Sequence, residues 1–117
     1  MFRLGDCKYY IHKIVDLQIY ILRVHTLTDT QNSNAYLFVP YEAMSSLLYQ
    51  LDELIKGDTD IVSVYFGDGS SFIMSESLMH KGKYLRQITL TNGTTVPSII
   101  PKEELDLMYH NINAVVN

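Results

Sequence analysis

The sequence contains no tryptophan, one cysteine and three prolines. The lone Cys7 excludes an internal disulfide, and no zinc-type cysteine cluster is present. A chain that folds without disulfides suits a reducing compartment. No run approaches the roughly 20 apolar residues of a membrane-spanning helix. The opening residues MFRLGDCKYY gain charge and tyrosine too early for a signal peptide. The expectation is a cytoplasmic protein with no membrane partner. Positive charge is scarce as well, with nine Lys and Arg against thirteen Asp and Glu and a net charge of −4. That excludes a protein basic over its whole surface, while leaving room for a local basic face.

Catalytic and metal-binding patterns are missing too. His12, His25, His80 and His110 sit on separate elements without spacings such as HxxxH. Of these, His110 is expected on the polar side of a helix and His25 packed in a strand. Cys7, beside Gly5-Asp6, reads as a structural thiol. The stretch Phe66-Gly67-Asp68-Gly69-Ser70-Ser71 lacks the lysine and the following helix of a phosphate loop, and hairpin chemistry explains its glycines. Asp6 and Asp68 are expected to cap their turns through side-chain hydrogen bonds. No enzyme activity, metal or cofactor is expected.

What the chain does contain is near-repetition. LRVHTLT at Leu22–Thr28 and LRQITLT at Leu85–Thr91 share five of seven residues at an offset of 63. Leu4-Gly5-Asp6 matches Phe66-Gly67-Asp68 at an offset of 62, and Val39-Pro40-Tyr41-Glu42 matches Ile100-Pro101-Lys102-Glu103 at 61. After each proline, apolar residues fall at helical spacing: Met44, Leu47, Leu48, Leu51, Leu54, Ile55, and again Leu105, Met108, Tyr109, Ile112, Val115, Val116. Proline at the first helical turn costs no hydrogen bond, and glutamate there suits the helix dipole. The first helix should end at Gly57. Ahead of each helix the sequence reads as strands. These are Phe2–Leu4, Lys8–Ile14, Leu17–Leu27 and Asn34–Val39, then Ile61–Phe66, Ser71–Ser77, Lys83–Thr91 and Thr94–Ile100. Gly67-Asp68-Gly69 and Asn92-Gly93 read as turns, with the Asp29–Ser33 loop opposite the latter. Pro97 marks an edge or a bulge. The expected fold class is α+β: one domain of 117 residues, built from tandem ββββα repeats at 1–57 and 58–117. Its two antiparallel sheets and two helices would be related by a pseudo-twofold, each unit shielding what the other exposes.

This doubled ββββα order resembles the PUR-repeat proteins and the related Whirly and transcriptional-coactivator-type single-stranded-nucleic-acid-binding domains. The resemblance spans Phe2 to Val116 and lies in element order and spacing. It implies an intertwined body whose curved sheets bind single-stranded DNA or RNA, without cofactor. Those families commonly carry more positive charge than this acidic chain.

The charge distribution suggests where such a ligand would lie. Glu42, Asp52, Glu53, Glu103, Glu104 and Asp106 fall on the helices and their first turns, with Lys56 and Lys102. The other bases, Arg3, Lys8, Lys13, Arg23, Lys81, Lys83 and Arg86, lie on or beside strands. Arg23 and Arg86 occupy matching places in the repeated heptapeptide. Alternation puts Arg23 with Ile21 and His25, and Arg86 with Tyr84 and Ile88. Guanidinium groups beside rings form a platform for a phosphate backbone with stacked bases. Tyr9, Tyr10, Tyr20, Tyr36, Tyr65, Tyr84 and Phe72 are the available rings. The candidate nucleic-acid-binding set is Arg23, Arg86, Lys8, Lys13, Lys81, Lys83, Tyr20, Tyr84 and Tyr10. Two alternatives stand beside it: strand tyrosines that pack in the core, and arginines that pair with carboxylates across the pseudo-dyad. A second function class also remains open. A protein- or small-ligand-binding inhibitor or sequestering protein, of the phage or plasmid accessory type, could use the acidic helices toward a basic partner. A homodimer with a structural role is a third.

Overall fold

The computed structural model describes residues 1–28 and 32–117. The strands are β1 (Phe2–Leu4), β2 (Cys7–Ile14), β3 (Ile19–Leu27) and β4 (Asn32–Pro40), then β5 (Ile61–Tyr65), β6 (Ser71–Glu76), β7 (Lys83–Thr89) and β8 (Thr95–Pro101). The helices are α1 (Tyr41–Lys56), after β4, and α2 (Leu105–Val116), after β8. They build two four-stranded antiparallel sheets, ordered β1-β2-β3-β4 and β5-β6-β7-β8. The architecture is the doubled ββββα that the spacing indicates. Of the Asp29–Ser33 loop, residues 29–31 lie outside the described residues, and Asn32 and Ser33 belong to β4.

Most strand ends fall within one or two residues of expectation, and two differences have a local cause. The strand expected from Leu17 starts at Ile19, because Val15–Leu17 forms a 3-10 turn and Gln18 turns left-handed at φ 52. The second helix is preceded by a 3-10 turn at Lys102–Glu104, the usual tightening at a helix start. The apolar stripes behave as read: α1 buries Met44, Leu47, Leu48, Leu51 and Leu54, and α2 buries Leu105, Met108 and Ile112. Left-handed Gly57 closes α1, donating its N–H back to the carbonyls of Glu53 and Leu54.

The two units exchange their helices. Helix α1 packs chiefly on β5 of the second unit, and α2 on β1 and β2 of the first. A four-stranded meander cannot bury its own apolar face, so each helix completes the neighbour's core. One core results, mixing Phe2, Leu4, Tyr9 and Leu22 with Phe72, Met74, Ile88 and Ile100. At the join, Gly5 (φ 58) lies so close to β8 that a Cβ would stand 2.6 Å from the Ile99 carbonyl oxygen. Asp68 caps its hairpin as expected, accepting the Ser70 N–H at 2.9 Å. Asp6 does not: its carboxylate accepts the Ser98 hydroxyl at 2.8 Å, tying the first sheet to the second.

Strand register corrects the repeat alignment. The residue after each proline donates backward, Tyr41 N–H to Gln18 C=O and Lys102 N–H to Gly82 C=O. Ladder positions then equate Tyr20 with Tyr84, Leu22 with Arg86 and Val24 with Ile88, 64 residues apart. The heptapeptide match at 63 is therefore one residue out of step. Since side chains alternate faces, a slip of one moves every residue to the opposite face. Arg23 and Arg86 are not equivalents: the counterpart of Arg86 is Leu22, and that of Arg23 is Gln87.

Candidate nucleic-acid interface

The consequence of the slip is direct. On β3, Tyr20, Leu22, Val24 and Thr26 point inward and are buried, while Ile21, Arg23 and His25 face outward. On β7, the inward set is Tyr84, Arg86 and Ile88. Arg86 is therefore fully buried, at 0% exposure. Its Nη1 donates to the Tyr9 hydroxyl and its Nη2 to the Val96 carbonyl at 2.9 Å. It cannot meet a phosphate. Tyr20 and Tyr84 are likewise core residues, because they share the inward parity; Tyr20 packs against Tyr41 with ring centroids 5.0 Å apart. These three leave the expected binding set.

Lys13 sits at the end of β2 with its ammonium 5.5 Å from the Tyr41 ring centroid and 6.0 Å from that of Tyr20. Lys81 is exposed on the loop before β7, and Lys83 opens that strand. None of the three lies among the basic rows of the first sheet. Lys8, Tyr10 and Arg23 do come together.

Neighbouring strands arrange the outer face of the first sheet in rows. Arg3, Lys8, His25 and Asn34 form one, Tyr10, Arg23 and Tyr36 the next, and His12, Ile21 and Phe38 a third. The Arg23 guanidinium sits over the Tyr10 ring, its carbon 3.8 Å from the ring centroid, a cation–π contact that holds it on this face. Tyr36 and Phe38 are 53% and 52% exposed. As alternate residues of one strand they stand about 7 Å apart on the same face. No carboxylate belongs to these rows, and none of Arg3, Lys8 and Arg23 forms an ion pair among the described residues. Positive charge thus stays available to a ligand, next to open rings. The candidate set read from the sequence left out Tyr36, Phe38, His12 and Arg3, although Arg3 was noted among the strand bases and Tyr36 among the rings. Their signal was present: in NSNAYLFVP, Asn, Tyr and Phe share one parity, and Ala, Leu and Val the other.

The second sheet presents a different outer face. Its rows are Ser63-Ile73-Gln87-Pro97, Ile61-Ser75-Leu85-Ile99 and Tyr65-Ser71-Thr89-Thr95, all uncharged, with exposed Lys83 opposite Pro101 at the end of the same face as its one charge. A cleft of about 520 Å³ lies there, between Lys83, Leu85, Pro97, Ile99 and the Gly5-Asp6 turn. The acids Glu42, Glu103 and Asp106 are exposed on the helical side. Among the described residues no group of three His, Cys, Asp or Glu could hold a metal ion, and no helix is long and apolar enough to cross a membrane.

Beneath the basic face, the Tyr9 hydroxyl is pushed up to about 12 by burial, against the opposing pull of Arg86. A tyrosine whose folded pKa exceeds its unfolded value of about 10 supports the fold fully below that value and loses its contribution as pH climbs toward 12. Alkaline titration should therefore remove roughly 2–3 kcal/mol between the two values through this residue. Urea unfolding of wild type and Tyr9→Phe across that range checks it: their stability difference should shrink as pH rises, and a constant gap would contradict it.

No family model matches the chain, and no curated protein matches it. Among solved structures, a chain from a guideRNA-binding protein complex bound to a gRNA is similar in fold, with a TM-score of 0.56 at 9% identity. The alignment covers 97% of this chain and 91% of that one. The likeness is one of architecture, and it spans both ββββα units.

Proposed function

We propose that this chain binds single-stranded DNA or RNA on the outer face of its first sheet and performs no chemistry of its own. One observation carries the reading: Arg3, Lys8 and Arg23 share that face with Tyr10, Tyr36 and Phe38, without an ion pair among the described residues and with no acid in the rows. Cations that track a backbone beside rings that stack bases make a sequence-tolerant single-strand site. The fold shared with a chain from a guideRNA-binding protein complex supports the reading at the level of architecture. A place beside the PUR-repeat and Whirly-type binders is part of the same proposal. The acidic helical side would face away from the polyanion.

Fluorescence anisotropy with labelled single-stranded oligonucleotides over a salt series tests it. Affinity should fall as salt rises, and Arg23→Ala should lower the slope of log K against log salt by about one. Joint replacement of Tyr36 and Phe38 by alanine should weaken binding by about 1–3 kcal/mol per lost stack while leaving the slope unchanged. Absence of binding at low salt would overturn the reading and return attention to a protein partner for the acidic helices.

A further inference from the structure

Four strands of this fold lie at a sheet edge, and three of them resist further pairing. β1 is only Phe2–Leu4. β5 is sealed by α1: Gln50 Oε1 accepts the Ser63 N–H at 2.8 Å and its Nε2 donates to the Ser63 carbonyl at 3.1 Å, so one amide side chain takes the place of a neighbouring strand. On β8, the bond from Lys102 N–H to Gly82 C=O sets which residues bond inward to β7, and Thr95, Pro97 and Ile99 are left facing outward. Pro97 has no N–H to offer at the centre of that edge.

Among the described residues, β4 has none of these protections. The matching bond from Tyr41 N–H to Gln18 C=O turns the N–H and C=O groups of Asn34, Tyr36 and Phe38 outward. Tyr36 stands where β8 has Pro97. From Asn34 to Val39 the strand carries no charge, proline or bulge. Long, uncharged edges rich in aromatic and β-branched residues are templates for strand addition.

We propose that two copies of this chain pair antiparallel through β4, about a twofold axis at Tyr36, to make one continuous eight-stranded sheet. A second copy is the occupant because the edge suits itself. Its outward groups fall at Asn34, Tyr36 and Phe38, so Tyr36 meets its own copy, Asn34 meets Phe38, and about six backbone hydrogen bonds close. The strand is uncharged, so no like charges are brought together. A twofold perpendicular to the sheet keeps both outer faces on one side. Resting on the binding reading above, the Tyr36 and Phe38 rings of both copies would then form one stripe flanked by two Arg23 guanidinium groups, twice the length of platform for a single strand.

Sedimentation equilibrium without nucleic acid, at protein concentrations up to roughly 100 µM, tests the dimer. Wild type should associate as a dimer. Tyr36→Pro copies the block found on β8 and removes an N–H that the β3–β4 ladder does not use, so it should leave a folded monomer by circular dichroism. Asn34→Lys puts a charge at the edge and should weaken association at least about tenfold; it decides the matter if the proline variant fails to fold. A wild type monomeric throughout would overturn the proposal and assign the edge to a strand of another protein. So would an Asn34→Lys variant that dimerises as tightly as wild type. A monomer that binds oligonucleotide leaves the face reading intact, and a dimer that binds none overturns that reading alone.

Discussion

Arg86→Ala should destabilise the protein by about 3 kcal/mol or more, a core effect from a residue that sequence alone places on a binding surface. The substitution opens a cavity between the sheets, strips the Arg86 donor from the Tyr9 hydroxyl and removes a side-chain donor from the Val96 carbonyl. The remedy is equally specific. The equivalent ladder position in the first unit is Leu22, fully at home in the core. Arg86→Leu combined with Tyr9→Phe replaces a buried polar pair by apolar groups of similar shape, a change that is often close to neutral. A double-mutant cycle by urea unfolding should show the pair recovering most of what either single change loses. A cost for Arg86→Ala within the ~0.5 kcal/mol usual for surface positions would mean that the arginine faces solvent. The result also governs binding assays: lost affinity in an Arg86 variant would report a damaged fold, so Arg23 is the residue to test.

Gly5→Ala should cost about 2–4 kcal/mol, from left-handed backbone strain together with steric overlap at β8. Its Cβ would meet the Ile99 carbonyl at 2.6 Å, backbone against backbone, with neither side free to swing away. Gly67, its counterpart in the second unit, has φ 87 but nothing within 4 Å of an added Cβ. Gly67→Ala should therefore lose only the conformational part, about 1 kcal/mol. The difference between the two melting curves measures the contact between units. Equal losses would show that the β1–β2 turn does not press on β8.

Much of this fold was written locally. Helix stripes, proline starts, the Gly57 stop and the glycine turns depend on residues a few positions apart, and each produced its element. Register was not local. Leu, Arg and Thr at matching places in LRVHTLT and LRQITLT carry no record of which way they point; the ladder anchored at Pro40 and Pro101 settles that. A charged side chain in a strand ordinarily faces water. The exception at Arg86 depends on Tyr9, 77 residues away. The proposed face was half legible: Lys8, Tyr10 and Arg23 follow from basic and aromatic content, while Tyr36 and Phe38 needed the alternation of β4 to be followed to its outer side.

The single thiol of the chain has no exposed surface; its sulfur lies 3.4 Å from the Asp6 carboxylate and 3.5 Å from the Thr26 hydroxyl, beside the place where the two units meet. An alkylating reagent in solution can reach Cys7 only while the core around it opens. Its rate of reaction is thus a clock for such openings, supplied by the native sequence and readable without any engineered label.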